Sequence, residues 1–226
     1  MLRFFVGAAL FAAAVGLVSA QPPTIVKPGA PGEPSRTITP AEARDVRKVA
    51  YTDADVAFMQ GMIHHHAQAV QMVELLKTHS KNPDMQKLGQ RIELSQKDEI
   101  KMMRHWLEVH GQQAPDPLAH QGHDMASMPG MSGGGQATAA MMPGMLTDAQ
   151  MQQLAAATGT DFDRLFLTGM IQHHGGALTM VKQLFDTPGA AQDSDIFAFA
   201  SDVDADQRME IDRMRRVLVA AKESVR

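Results

Sequence analysis

One segment of this chain occurs twice. Gly61-Met62-Ile63-His64-His65-His66 returns 108 residues later as Gly169-Met170-Ile171-Gln172-His173-His174. The match extends outward: Asp55, Phe58, Ala69, Met72, Val73 and Leu76 correspond to Asp163, Phe166, Ala177, Met180, Val181 and Leu184. A second pair repeats at an offset of 111, Gln96-x-x-Glu99-Ile100-x-x-Met103-Arg104-x-x-Leu107 with Gln207-x-x-Glu210-Ile211-x-x-Met214-Arg215-x-x-Leu218. A Met/His segment followed by a Gln/Glu/Met segment therefore forms one unit, present in two copies. A backbone that suits one copy must also suit the other.

That backbone reads as helix. At about 100° per residue, Phe58, Met62, Ala69, Val73 and Leu76 fall on one stripe of a helix from about Asp53 to Thr78. His65 and Met72 flank the stripe on one side and His66 on the other, while His64 points away to solvent. The histidines near the stripe recur as His173 and His174, whereas His64 becomes Gln172. Asn82-Pro83-Asp84 caps a second helix that runs to His110 and stops at Gly111. Its stripe holds Ile92, Ile100, Met103 and Leu107, and also Gln96 and Glu99. A carboxylate on a core stripe is costly unless it is paired or metal-bound, and Glu210 repeats the anomaly. A third helix is expected from about Asp161 to Phe185 and a fourth from about Ser194 to Glu223. The expected fold is all-α: two repeated helical hairpins, 52–110 and 147–223, closing a four-helix bundle, with no strand.

The remaining segments differ in composition. Residues 1–20 resemble a secretory signal, with Arg3, an apolar run from Phe4 to Val18, and the small-residue site Val18-Ser19-Ala20. Residues 21–38 read as a disordered Pro-rich spacer, followed by a helical region over 39–226 that opens on the capping box Thr39-Pro40-Ala41-Glu42. Residues 111–146 read as a flexible linker carrying His120, His123, Met125, Met128 and Met131. A second capping box, Thr147-Asp148-Ala149-Gln150, starts a short helix to Thr158. The expected location is periplasmic or secreted, with no membrane attachment once the signal is removed.

Composition limits the chemistry. The chain has 226 residues, no cysteine and 18 methionines. Disulfides, thiolate metal sites, c-type haem attachment and a lipid-anchored cysteine are excluded, so any soft-metal chemistry must use thioether and imidazole. A net charge of −4 without a basic block argues against a nucleic-acid partner.

Thioether suits Cu(I), and imidazole suits Cu(II), zinc and other borderline ions. Residues at i, i+3 and i+4 share a helix face, so Met62 can converge with His65 or His66. Met72 lies on the flank of His65, and a facing helix would add Glu99 and Met103. The second unit offers Met170, His173, His174, Met180, Glu210 and Met214. The glutamates are candidate ligands, candidate partners that orient the imidazoles, or simple ion-pair partners of Arg104, Arg215 or a histidine. Linker residues His120, His123, Met125, Met128 and Met131 form a candidate weak, rapidly exchanging site. The metal expected is copper, Cu(I) before Cu(II), with zinc or iron suiting the ligands less. A copper-exporting or copper-accepting protein is the expected partner, and no catalysis is required. Two other readings stand beside this one. A redox enzyme with a dinuclear iron or manganese centre would use Glu-x-x-His pairs, and the chain has none. A metal-free interaction module would use the methionines and histidines as core packing.

The pattern G-M-I-x-H-H-x-x-A-x-x-M followed by Q-x-x-E-I-x-x-M-R-x-W-L resembles a widespread bacterial family of secreted, ferritin-like four-helix proteins, long known as a domain of unknown function. That family includes periplasmic copper-binding and copper-resistance proteins. The resemblance covers about Thr52 to Leu218 outside the linker. It implies a ferritin-like bundle with metal held by Met62, His65, His66 and Met103 and by Met170, His173, His174 and Met214. The second copy departs from the pattern where Trp106 becomes Val217 and where Gly175-Gly176 follows the histidine pair. The glycines are expected to loosen the third helix and weaken the second site.

Overall fold

The computed structural model describes residues 24–27, 34–45, 51–117 and 142–223, and the chain divides into one unit up to Lys48 and another from Val49 onward. In the first unit, β1 (Ile25–Lys27) and β2 (Arg36–Ile38) pair antiparallel, with Ile25 opposite Ile38. This departs from the expected strand-free spacer: Ile25, Val26, Thr37 and Ile38 are β-branched and favour extended pairing. Helix α1 (Pro40–Asp45) follows. Thr39 starts it, its hydroxyl accepting the Glu42 amide while the Glu42 carboxylate accepts the Thr39 amide.

The second unit is built on four long helices: α2 (Asp53–His79), α3 (Pro83–Val109), α5 (Gly159–Asp186) and α6 (Ser194–Glu223), with the short α4 (Asp148–Ala156) before α5. Local chemistry fixes their starts. Thr52 and Asp55 form a reciprocal capping box at α2, Asn82 caps α3 with Pro83 in its first turn, and Thr147 with Gln150 caps α4. Asp55 is fully buried and has a second task. Its other carboxylate oxygen accepts the amide of Ala191 at 2.7 Å, which holds that alanine at φ 54° in the turn between α5 and α6.

Helix α2 packs on both α3 and α5, α5 packs on α6, and α4 leans on α2 and α5. Two apolar clusters result, and each draws on all four long helices. One contains Phe58, Met62 and Ile63 of α2, Met103 and Leu107 of α3, Met180 and Val181 of α5, and Phe199 and Val203 of α6. The other contains Met72 and Leu76 of α2, Met85 and Ile92 of α3, Phe162, Phe166 and Met170 of α5, and Ile211 and Met214 of α6. Along every long helix a polar level separates the two: His64 to His66 with Gln68 in α2, Gln96 and Glu99 in α3, His173 and His174 in α5, Gln207 and Glu210 in α6.

His64 corrects the sequence expectation. It is buried rather than solvent-facing. The chain leaving α3 returns over the outer side of α2: Gln60 donates to the carbonyl of Gln113 at 2.8 Å, and the carbonyl of Pro117 lies 3.5 Å from the His64 Nδ1. A helical wheel describes one helix and carries no information about a loop that folds back onto it.

Candidate metal centre

The histidine pairs meet in the polar level because α2 and α5 cross there. The His65 and His173 rings lie 3.8 Å apart between centroids, tilted by 36°. His65 and His66 are 6.3 Å apart, and His173 and His174 6.2 Å. All four are buried.

Each ring is held at the same atom. His66 Nε2 donates to the Glu99 carboxylate, and Ser95 donates its hydroxyl to the other Glu99 oxygen at 2.8 Å. His174 Nε2 donates to Glu210 at 2.5 Å. His65 Nε2 donates to the Pro143 carbonyl at 3.0 Å, and His173 Nε2 to the main-chain carbonyl of His65 at 2.8 Å. A carbonyl can only accept, so His65 and His173 must carry their hydrogen on Nε2. The Nδ1 atoms of His65, His66, His173 and His174 are all buried without a hydrogen-bond partner among the described residues. Ordinary core histidines satisfy both nitrogens; here the same nitrogen is left without a partner four times over among the described residues, and in His65 and His173 it is a lone-pair donor.

Electrostatics agree with neutral rings at the centre. Burial, then the neighbouring His66, pushes His65 down to about 3. Burial also holds His173 well below the ordinary histidine range, helped by His65, His174 and His66. Burial works to raise Glu99, but the hydrogen bond and charge of His66, with the Ser95 hydroxyl, outweigh it and keep the carboxyl below its usual value. Asp206 is raised, first by burial and then by the charges of Glu99 and Glu210, so a third carboxylate lies on the side where the two glutamates hold their histidines.

The methionines divide differently from the sequence grouping. Met62 and Met103 of the first repeat join Met180 of the second in one cluster. Met72 of the first joins Met170 and Met214 of the second in the other. The exchange is reciprocal. A side chain added at Gly169 would meet the Met72 methyl at 3.2 Å, and one added at Gly61, the equivalent position, would meet the Met180 methyl at 3.5 Å. All six methionines are buried. Glu99 and Glu210 pair with histidines and not with Arg104, which donates to the Pro115 carbonyl, or Arg215, which lies 3.7 Å from Asp212. Among the described residues no three His, Asp or Glu side chains are arranged around a common ion position. His120, His123, Met125, Met128 and Met131 lie outside the described residues.

A feature the sequence did not disclose sits against His65. Residues Met142 to Leu146 lie between α2 and α5. Gln68 clasps Leu146, donating to its carbonyl at 2.9 Å and accepting its amide at 2.8 Å. Helix α5 runs unbroken through Gly175 and Gly176, and Gly176 gives room where loosening was expected: a Cβ there would fall 1.9 Å from the Pro143 carbonyl oxygen. The signal available in the sequence was that Gln68 and Gly176, equivalent positions, differ as much as two residues can.

Fold and site together define a mostly helical protein whose interior carries a layer of oriented imidazoles between methionine-rich clusters. Residues 55–218 match the Domain of unknown function (DUF305), and the chain belongs to that family. A Streptomyces coelicolor member described as secreted is 25% identical with a TM-score of 0.61, the match covering 75% of this chain and 94% of that one. A Deinococcus radiodurans DUF305 fragment is 27% identical with a TM-score of 0.60, covering 75% and 98%. CopM in its Cu(II)-bound form is 26% identical with a TM-score of 0.53, covering 72% and 93%, and a silver-bound form of CopM is 27% identical with a TM-score of 0.50, over the same shares. No curated protein matches the chain. No helix among the described residues is long and apolar enough to cross a membrane.

Proposed function

We propose that this protein is a periplasmic or secreted copper carrier: it takes up Cu(I) or Cu(II) through Met and His side chains and buffers, stores or hands over the ion. The observation that carries this reading is the common state of the four histidines. Each is fixed at Nε2 by an acceptor and presents a buried Nδ1 that has no partner among the described residues. An acceptor behind the imidazole is the usual support of a metal-ligating histidine, because it fixes the tautomer and raises ligand basicity. The copper and silver forms of CopM support the choice of metal. Silver is a soft monovalent ion like Cu(I), and the buried thioethers beside the imidazoles favour the soft oxidation state.

In this reading the long helices form a ferritin-like four-helix bundle of two repeated hairpins. His65, His66, His173 and His174 supply nitrogen, and Met62, Met103 and Met180 on one side and Met72, Met170 and Met214 on the other supply sulfur. Glu99 and Glu210 hold His66 and His174 in place. Copper is cargo here, and the residues need only bind, orient and release it. The test is a Cu(I) titration of the full chain against a competing chelator, beside Zn(II) and Fe(II), with a melting curve at each point. Binding to the folded state alone at a thousandfold excess over Kd adds about 4 kcal/mol of stability. Uptake of no metal, with melting unchanged, would return the histidines to plain core polar groups.

A further inference from the structure

The layer is supported unequally. His66, His173 and His174 take their Nε2 acceptors from the long helices themselves, through Glu99, the His65 carbonyl and Glu210. His65 takes its acceptor from a non-helical segment, the Pro143 carbonyl. A helix face has one geometry, but a short irregular stretch has many, so this segment needs fixing from outside.

Three fixings are present. The Gln68 amide closes both the carbonyl and the amide of Leu146, and Leu146 is buried with its side chain over Gly169. Gly144, at φ 76°, and Gly176 bring the two backbones together: a Cβ on Gly144 would lie 2.5 Å from the Gly176 Cα. Gln172 Nε2 reaches the carbonyls of Gly144 and Met145, each at 3.4 Å. Gln68 lies three residues from His65 on one helix, and Gln172 and Gly176 bracket His173 and His174 on the other. The residues that hold the segment are therefore interleaved with the histidines themselves.

We infer that Met142–Leu146 is a positioning strap: held by Gln68 and Gly176, it fixes His65 with its hydrogen on Nε2 and so presents Nδ1 as the donor to a soft or borderline metal ion. The metal part rests on the copper reading above; the tautomer part does not. Gln68 and Gly176 are then positioning residues, acting through Pro143 on His65. Without the strap the ring would be free to carry its hydrogen on either nitrogen and to turn.

The experiment uses the full chain and two variants. Gly176→Ala places a methyl where the Pro143 carbonyl sits, while alanine favours the α5 helix more than glycine does. Gln68→Ala removes the clasp and adds nothing. Nitrogen-15 NMR of the histidine rings reads the His65 tautomer in the metal-free protein, amide exchange at Leu146 reads the strap, and silver and Cu(I) titrations read the site. The expected result in both variants is fast Leu146 exchange, loss of the single Nε2–H signature of His65, and metal binding weakened about ten- to a hundredfold. Fast exchange at Leu146 with His65 still held as Nε2–H would overturn the inference, as would a Leu146 amide that stays protected in both variants. If the parent protein binds neither metal, the copper reading fails, while the tautomer and exchange results still decide whether the strap fixes His65.

Discussion

His173 donates to the main-chain carbonyl of His65, and the two rings lie 3.8 Å apart. Residues separated by more than a hundred positions thus build one shared layer, and neither histidine pair is an isolated site within its own hairpin. Removing His65 and His66 together should abolish tight metal uptake by the whole protein and not by one half of it. His64→Ala, which spares His65, His66, His173 and His174 and their Nε2 acceptors, should preserve metal affinity. Chelator competition with silver or Cu(I) measures both. A double variant that still binds one ion with full affinity would show two independent sites.

Glu99 and Glu210 serve as acceptors for His66 and His174. Glu99→Ala leaves the His66 hydrogen without its acceptor and should weaken metal binding about ten- to a hundredfold. Glu99→Gln retains a carbonyl acceptor and should fall between Ala and the parent. Glu210→Ala should reproduce the effect on the other half. Equal affinities across the Glu99 series, measured by competition titration, would remove the orienting role.

The metal-free protein should lose stability in mild acid. His65 titrates at about 3 and His173 well below the ordinary value in the folded chain, whereas an unfolded chain titrates histidine near ~6.5. Between these values the unfolded state binds more protons. Stability is therefore complete above about pH 6.5 and falls as the pH drops toward 3, by up to about 1.4 kcal/mol per pH unit for each histidine that stays neutral. Glu99, held below its usual value, adds to the loss once the pH passes below the ordinary carboxylate range. Urea melts between pH 7.5 and 4.5 read the slope, and the His65→Ala variant should flatten it. A level profile over that range would contradict the burial of neutral rings.

Residues 118–141 contain the dense Met/His cluster but none of the contacts described for Gln113, Pro115, Pro117 or Pro143. Replacing them with Gly/Ser of equal length should lower the number of weakly held Cu(I) ions and leave the melting temperature of the metal-free protein unchanged. Equilibrium dialysis gives the count. Unchanged stoichiometry would reduce the cluster to a spacer. Removal of the whole of 112–145 is a different experiment, because it also takes away the cover of His64 and the acceptor of His65.

Much of the framework was legible because helices announce themselves locally. Thr147 and Gln150 cap α4, and Asn82 with Pro83 opens α3, through contacts spanning three residues or fewer. The burial of His65, His66, His173 and His174 was legible from period and repetition. What failed depended on docking. The wheel put His64 in solvent because it could not see Pro117 arriving from 53 residues away. Met72 was grouped with Met62, yet it faces Gly169 of the other hairpin, since a flank position belongs to whichever helix packs there. The Pro143 contact has no period at all, so only its fixings, Gln68 and Gly176, left a trace in the sequence. The strand pair of the first unit was hidden by the prolines and glycines around it.

The reciprocal placement of Met72 over Gly169 and Met180 over Gly61 means that neither hairpin owns a finished interior. Each half ends where the other begins, like two hands clasped with interlaced fingers. Both apolar clusters draw on both hairpins, so two fragments produced by a nick between residues 118 and 141 should co-elute and melt as one. Either fragment alone is left to aggregate or to find a second copy of itself. Seen this way, the two hairpins meet as the partners of a dimer do, each completing the interior of the other.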